Sequence, residues 1–131
     1  MKGGFDVNIQ WFSRNLPGMI TIYETNITLN TVACSYFENT YSTLIGFDHE
    51  SKTLIIKAIT KSEVDEGSFK EQDLHPISIK PSYGRINGKG IINNLCRAFP
   101  LDFVSKKMHK FPCEWDDTKK FLKVYLEREV G

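Results

Sequence analysis

The side chains able to do chemistry are spread thinly along this chain. His49, His75 and His109 stand in no HxH or HExxH spacing and beside no cysteine pair, so zinc ligation has the residue types but not the pattern. Cys34, Cys96 and Cys113 are odd in number, contain no CxxC, and sit among apolar neighbours. They read as reduced, buried small hydrophobes. The run Gly84-Arg85-Ile86-Asn87-Gly88-Lys89-Gly90 invites anion chemistry, because backbone N–H groups at a helix start attract phosphate. It lacks the GxxxxGK[ST] spacing and reads instead as a flexible turn leading into a helix. Asp48-His49-Glu50 and Asp116-Asp117 have the character of hairpin tips, where acids favour the turn. Spacing supports no Ser/His/Asp arrangement. The sequence thus offers no catalytic residue, no metal ligand set and no cofactor signature, and the chain reads as non-enzymatic.

The elements that would position these residues are mostly strands. Ile20 and Ile22, then Ile27 and Leu29, alternate with polar residues, interrupted at Glu24-Thr25-Asn26: two short strands with a tight turn or bulge between them. Asn30 can cap a short helix over residues 31–37. Leu44, Ile45 and Phe47 lead into the polar loop Asp48–Lys52, and Leu54-Ile55-Ile56 returns, which is a hairpin pattern. Residues 60–75 are charged and carry isolated apolar side chains, so they read as a linker with room for a short helix. Ile77-Ser78-Ile79 then runs to a turn at Pro81-Ser82-Tyr83-Gly84, and Asn87 is a candidate cap. Ile91, Ile92, Leu95, Cys96 and Phe99 fall at helical spacing before Pro100 stops the helix. A basic stretch, Lys106–Lys110, precedes a second hairpin over Phe111–Trp115 and Phe121–Leu126.

With 131 residues, 40% apolar and 25% charged, the chain can bury one real core and reads as a single domain. Its formal net charge of +1 selects neither nucleic acid nor membrane. The distribution is less even. Residues 1–75 hold six Lys and Arg against ten Asp and Glu, whereas residues 76–131 hold eleven against six, so the second half can present a basic face. No apolar run approaches the length needed to span a bilayer, and MKGGFDVNIQWF is too polar for a signal peptide; the cytoplasm is the expected compartment.

The two halves match element for element. ITIYETNIT answers ISIKPSYGRI, the segment after Asn30 answers the one after Asn87, and IGFDHESKTLIIKAI answers CEWDDTKKFLKVYL. The expected architecture is mainly β (α+β): pseudo-repeats 20–59 and 77–127, each ββαββ, joined by the charged linker 60–75, with two short helices. A unit of this order, with Gly84-Arg85-Ile86 before the second helix, resembles the swapped-hairpin AbrB family of DNA-binding domains, and two units in one chain resemble the tandem MraZ arrangement. The resemblance implies that the halves interleave into one small β-barrel and that the protein binds DNA in transcription regulation. It also implies that Arg85 and Lys89, with Lys80 nearby, face the phosphates. The first repeat has Glu24, Thr25 and Asn26 at the corresponding place, and a carboxylate there repels phosphate.

A different reading is a protein-interaction module or homo-oligomer without nucleic-acid binding. Near-zero net charge favours it, as does the pair Trp11-Phe12 beside the Asn15-Leu16-Pro17-Gly18 turn. That aromatic pair is also suited to covering a sheet edge.

Overall fold

The computed structural model describes residues 17–131, so the expected aromatic patch at Trp11 and Phe12 lies outside the described residues. The described residues form eight antiparallel strands: β1 (Met19–Tyr23), β2 (Asn26–Asn30), β3 (Ser42–Asp48), β4 (Thr53–Ile59), β5 (Ser78–Ile79), β6 (Tyr83–Asn87), β7 (Met108–Asp116) and β8 (Phe121–Tyr125). Three short helices join them: α1 (Thr31–Ser35), α2 (Lys61–Asp65) and α3 (Lys89–Ala98). The fold is mainly β, a single curled sheet in the order β3-β4-β8-β7-β1-β2-β6-β5.

That order interleaves the two halves. β1–β2 from the first half sits between β7 and β6 from the second, and β4 pairs with β8. The segment leading into β5 also reaches the opposite edge of the sheet. Thr43 in β3 forms a two-bond bridge with His75, with Thr43 N–H donating to the His75 carbonyl at 3.0 Å and His75 N–H returning at 2.8 Å. The segment expected to be a linker therefore helps to close the half-barrel. It also contains α2, a third helix where two were expected. Thr60 and Glu63 form a reciprocal capping box that satisfies free N–H groups at its start.

Period-two alternation decides which side chains go inward. Ile20, Ile22, Ile27, Leu29, Ile86 and Phe111 are fully buried from one part of the sheet, and Leu54, Ile56, Leu122 and Val124 are buried from the other. Each such side chain contributes roughly 2 kcal/mol by leaving water. α1 adds Ala33 and Cys34, and α3 adds Ile91, Ile92 and Leu95 to the same core.

Asn30 ends β2 and begins α1. Its Oδ1 accepts from the N–H groups of Ala33 and Met19, both at 3.0 Å, and its Nδ2 donates to the Pro17 carbonyl at 2.9 Å. One amide thus caps a helix and pins the entry to β1. α1 is shorter than expected, ending at Ser35, with Phe37 buried just beyond it. Asn87 does not cap α3. The β2–β6 ladder keeps it in the sheet opposite Asn26, Gly88 takes the cap position without a side-chain bond, and the Gly88 N–H donates to the Thr25 carbonyl at 3.0 Å.

The second half also turns one step earlier than expected. Lys80 N–H donates to the Tyr83 carbonyl at 2.8 Å, which puts Gly84 inside β6, opposite Leu29. A Cβ at Gly84 would lie 3.2 Å from the Cys34 Sγ, so its role is close packing of α1 on the sheet. The two hairpins close with the same turn. Asp48 Oδ1 accepts from the N–H groups of Glu50 and Ser51, and Asp116 Oδ1 accepts from those of Thr118 and Lys119. Each turn ends on a lysine in the left-handed region, Lys52 at φ 56° and Lys120 at φ 58°.

Candidate nucleic-acid interface

Residues that alternate with the buried isoleucines point outward from the convex side of the sheet. Their register is explicit. Lys110 lies opposite Thr21, Thr21 opposite Thr28, Thr28 opposite Arg85, and Arg85 opposite Ser78. This row crosses β7, β1, β2, β6 and β5 with a cation near each end and hydroxyls between. Three strand spacings separate Lys110 from Arg85, about 14 Å along the sheet. Asn26 and Asn87, paired with each other, share this outward face one pleat away. So do Tyr23 and Met108.

The sequence-derived site residues fall unequally on this surface. Arg85 is exposed in the middle of β6, not on a strand–helix loop, and its guanidinium stands 5.3 Å from the centre of the Tyr83 ring. Lys80 is in the β5–β6 turn and Lys89 is the first residue of α3, so they flank β6 at opposite ends. The structure joins Arg85 to Lys110 instead. Lys110 belongs to the basic stretch ahead of the second hairpin, but that stretch runs into β7, which begins at Met108. The available signal was alternation: His109 and Phe111 buried, with Lys110 exposed between them.

His109 anchors the basic corner. It is 5% exposed, with Nδ1 2.7 Å from Glu129 Oε2 and Nε2 2.9 Å from the Asp102 carbonyl oxygen. A carbonyl only accepts, so Nε2 donates the bond to Asp102. Burial raises the Glu129 pKa, but hydrogen bonds from Lys106 and His109, with their charges, outweigh it and hold the carboxyl below its ordinary value. Lys106 reaches the same oxygen at 2.6 Å. The Asp102 carboxylate folds the preceding loop by accepting from the N–H groups of Val104 and Ser105, and these bonds hold its pKa low. Val130 N–H donates to the Lys110 carbonyl at 2.8 Å, laying the 126–131 segment alongside β7. Lys107 and Lys110 make no ion pair among the described residues.

Other chemistry is sparse. Among the described residues no three His, Cys, Asp or Glu side chains gather to hold a metal, and no helix is long and apolar enough to cross a membrane. The three cysteines are unpaired; burial, with help from Glu38, raises the Cys34 thiol, and burial pushes the Cys113 thiol up to about 12. Neither is poised as a thiolate nucleophile. A cleft of about 340 Å³ between β3 and α3 is walled by Ile45, Phe47, Leu54, Ile91 and Leu95, and offers only His75 and Asn94 as polar side chains.

No family model, curated protein or solved structure matches this chain. The class is therefore defined by fold alone: a small, mainly β, half-barrel protein with interleaved halves.

Proposed function

We propose that the protein is a non-enzymatic nucleic-acid-binding protein of the regulatory, AbrB/MraZ-like kind, and that it binds through the convex face of β7-β1-β2-β6. The observation that carries this reading is the register row from Lys110 through Thr21 and Thr28 to Arg85. Two cations on one face can neutralise phosphates and release counterions. The intervening hydroxyls and the Asn26–Asn87 amides supply donors and acceptors to phosphate oxygens or base edges. Glu24 stands at the β1–β2 turn, off the centre of the row, so its repulsion acts at the rim. The test is binding of labelled DNA and labelled RNA, each across a salt series. Affinity should fall steeply with salt, and Arg85→Ala and Lys110→Ala should each reduce the slope by about 1. Absence of binding at low salt would sink the proposal.

A protein-interaction role has its own support elsewhere on the molecule. Tyr36, 44% exposed, stacks on Trp115 with ring centres 5.0 Å apart and planes within 5°. An aromatic pair of this kind, with Tyr36 exposed over a half-buried Trp115, suits a protein partner. Tyr36→Ala would abolish recovery of such a partner and leave DNA binding unchanged.

A further inference from the structure

We infer that the nucleic acid recognised on this face is single-stranded, with an unstacked base lodged beside Tyr23. The inference rests on the nucleic-acid reading above and narrows it. Two hollows line the β1–β7 side of the face and share Lys110. The larger, about 480 Å³, lies against Tyr23, Met108 and Val130, with Lys106 and Lys107 at its rim. The smaller, about 340 Å³, continues past Thr21 to Met19 and Asn30. The path follows β1 from Tyr23 to Met19, about 14 Å at strand spacing.

The contents of the larger hollow match an exposed nucleotide. Tyr23, half-buried, and Met108, 40% exposed, both line it, so a flat ring can lie against an aromatic face and a polarizable thioether. Lys107 and Lys110 stand where the flanking phosphates would run. Lys106, which also lines the hollow, is paired with Glu129. Bases in a duplex are stacked on one another and offer only their edges to a protein. The face is also convex. A duplex, with a persistence length of about 50 nm, stays nearly straight across so small a surface and touches it over few base pairs. A single strand bends around it and can turn each base outward in turn.

The test uses the full chain with fluorescence anisotropy on three labelled probes of one sequence: single-stranded DNA, single-stranded RNA and the DNA duplex. At least one single strand should bind about tenfold or more tightly than the duplex. Tyr23→Ala should weaken single-strand binding about tenfold. Tyr23→Phe, which keeps the ring, should bind as the parent does, and Lys107→Ala, at an exposed position, should weaken binding and flatten its salt dependence. Equal or tighter duplex binding overturns the inference while leaving the nucleic-acid reading intact, as does single-strand binding insensitive to Tyr23→Ala. Failure of all three probes to bind at low salt overturns both.

Discussion

Lys110 and Arg85 occupy one register row of the sheet although they come from different hairpins and different strands. Lys110 faces Thr21, and Arg85 faces Thr28, which is itself opposite Thr21. Two positive charges about 14 Å apart on one convex surface are screened from each other at physiological salt, where the Debye length is about 8 Å. Repulsion between them therefore costs little. The expected consequence is that Arg85→Ala and Lys110→Ala leave the unfolding free energy measured in urea within about 0.5 kcal/mol of the parent. Their effects on nucleic-acid affinity should add when combined.

Asn30 is the residue whose removal should be felt most locally. Its side chain makes three hydrogen bonds, to Ala33, Met19 and Pro17. Asn30→Ala loses the α1 cap and releases the start of β1, and is expected to cost about 2 kcal/mol in urea unfolding. Asn30→Asp keeps the acceptor for both N–H groups but loses the donor to Pro17. It should recover more than half of that loss. A loss as large as that of alanine would show that the Pro17 bond dominates.

The hairpin tips predict stabilising substitutions. Lys52 and Lys120 hold left-handed backbone that costs an L-residue about 1 kcal/mol. Glycine removes this strain and gives back part of the gain as greater freedom in the unfolded chain. Lys52→Gly and Lys120→Gly should each raise stability by a few tenths to about 1 kcal/mol. The Lys120–Asp117 ion pair lost in the second is solvent-exposed, so the two gains should be similar. Destabilisation by either glycine would contradict the assignment of strain.

Gly84 and Cys34 should be coupled. A Cβ at Gly84 comes within 3.2 Å of the Cys34 Sγ, so Gly84→Ala must displace the thiol or lift α1 from the sheet. Cys34→Ala removes the obstacle and leaves the Cys34 Cβ at an ordinary 3.5 Å. A double-mutant cycle is expected to show a favourable coupling of at least about 0.5 kcal/mol. Additive losses would mean that the crowding is absorbed elsewhere.

The clasp at His109 predicts an acid-sensitive C-terminal segment. Glu129 has its pKa depressed from an ordinary value of 4.5, so the folded state binds its proton less readily than the unfolded state. Its contribution is present above the ordinary value and is lost as pH falls through the depressed one. Stability should therefore decline on the acid side of pH 4.5, and Glu129→Gln should flatten that part of the profile. The same variant should speed amide exchange at Val130, whose N–H holds the segment to Lys110. An unchanged acid limb would assign the decline to Asp48, Asp102 and Asp117, whose pKa values are also lowered by hydrogen bonds.

Much of the local structure was legible. The alternation at Ile20, Ile22, Ile27 and Leu29 marked β1 and β2, the Asp48 and Asp116 tips marked both hairpins, and Asn30 marked a cap. These depend on residues within a few positions of one another. α2 was legible too, since Thr60-Lys61-Ser62-Glu63 has the capping-box spacing, but its charged surroundings resemble a linker. Asn87 shows the opposite case, where a good cap residue is claimed by a strand partner from the other half of the chain.

By itself, then, the sequence determined β1 and β2 with their buried side and the turns at Asp48 and Asp116, but not the bounds of β6 and β7. Those follow from side-chain period, burial preference and turn chemistry, all short-range. Only the tertiary structure decided that β1 pairs with β7 and β2 with β6, and hence that Lys110 and Arg85 share a row. Alternation says that each residue faces outward but not which strand lies beside it, because any two half-buried strands can satisfy each other's backbone hydrogen bonds. Partner and register are settled by how the buried side chains of the whole sheet pack together, and the candidate interface exists only at that level.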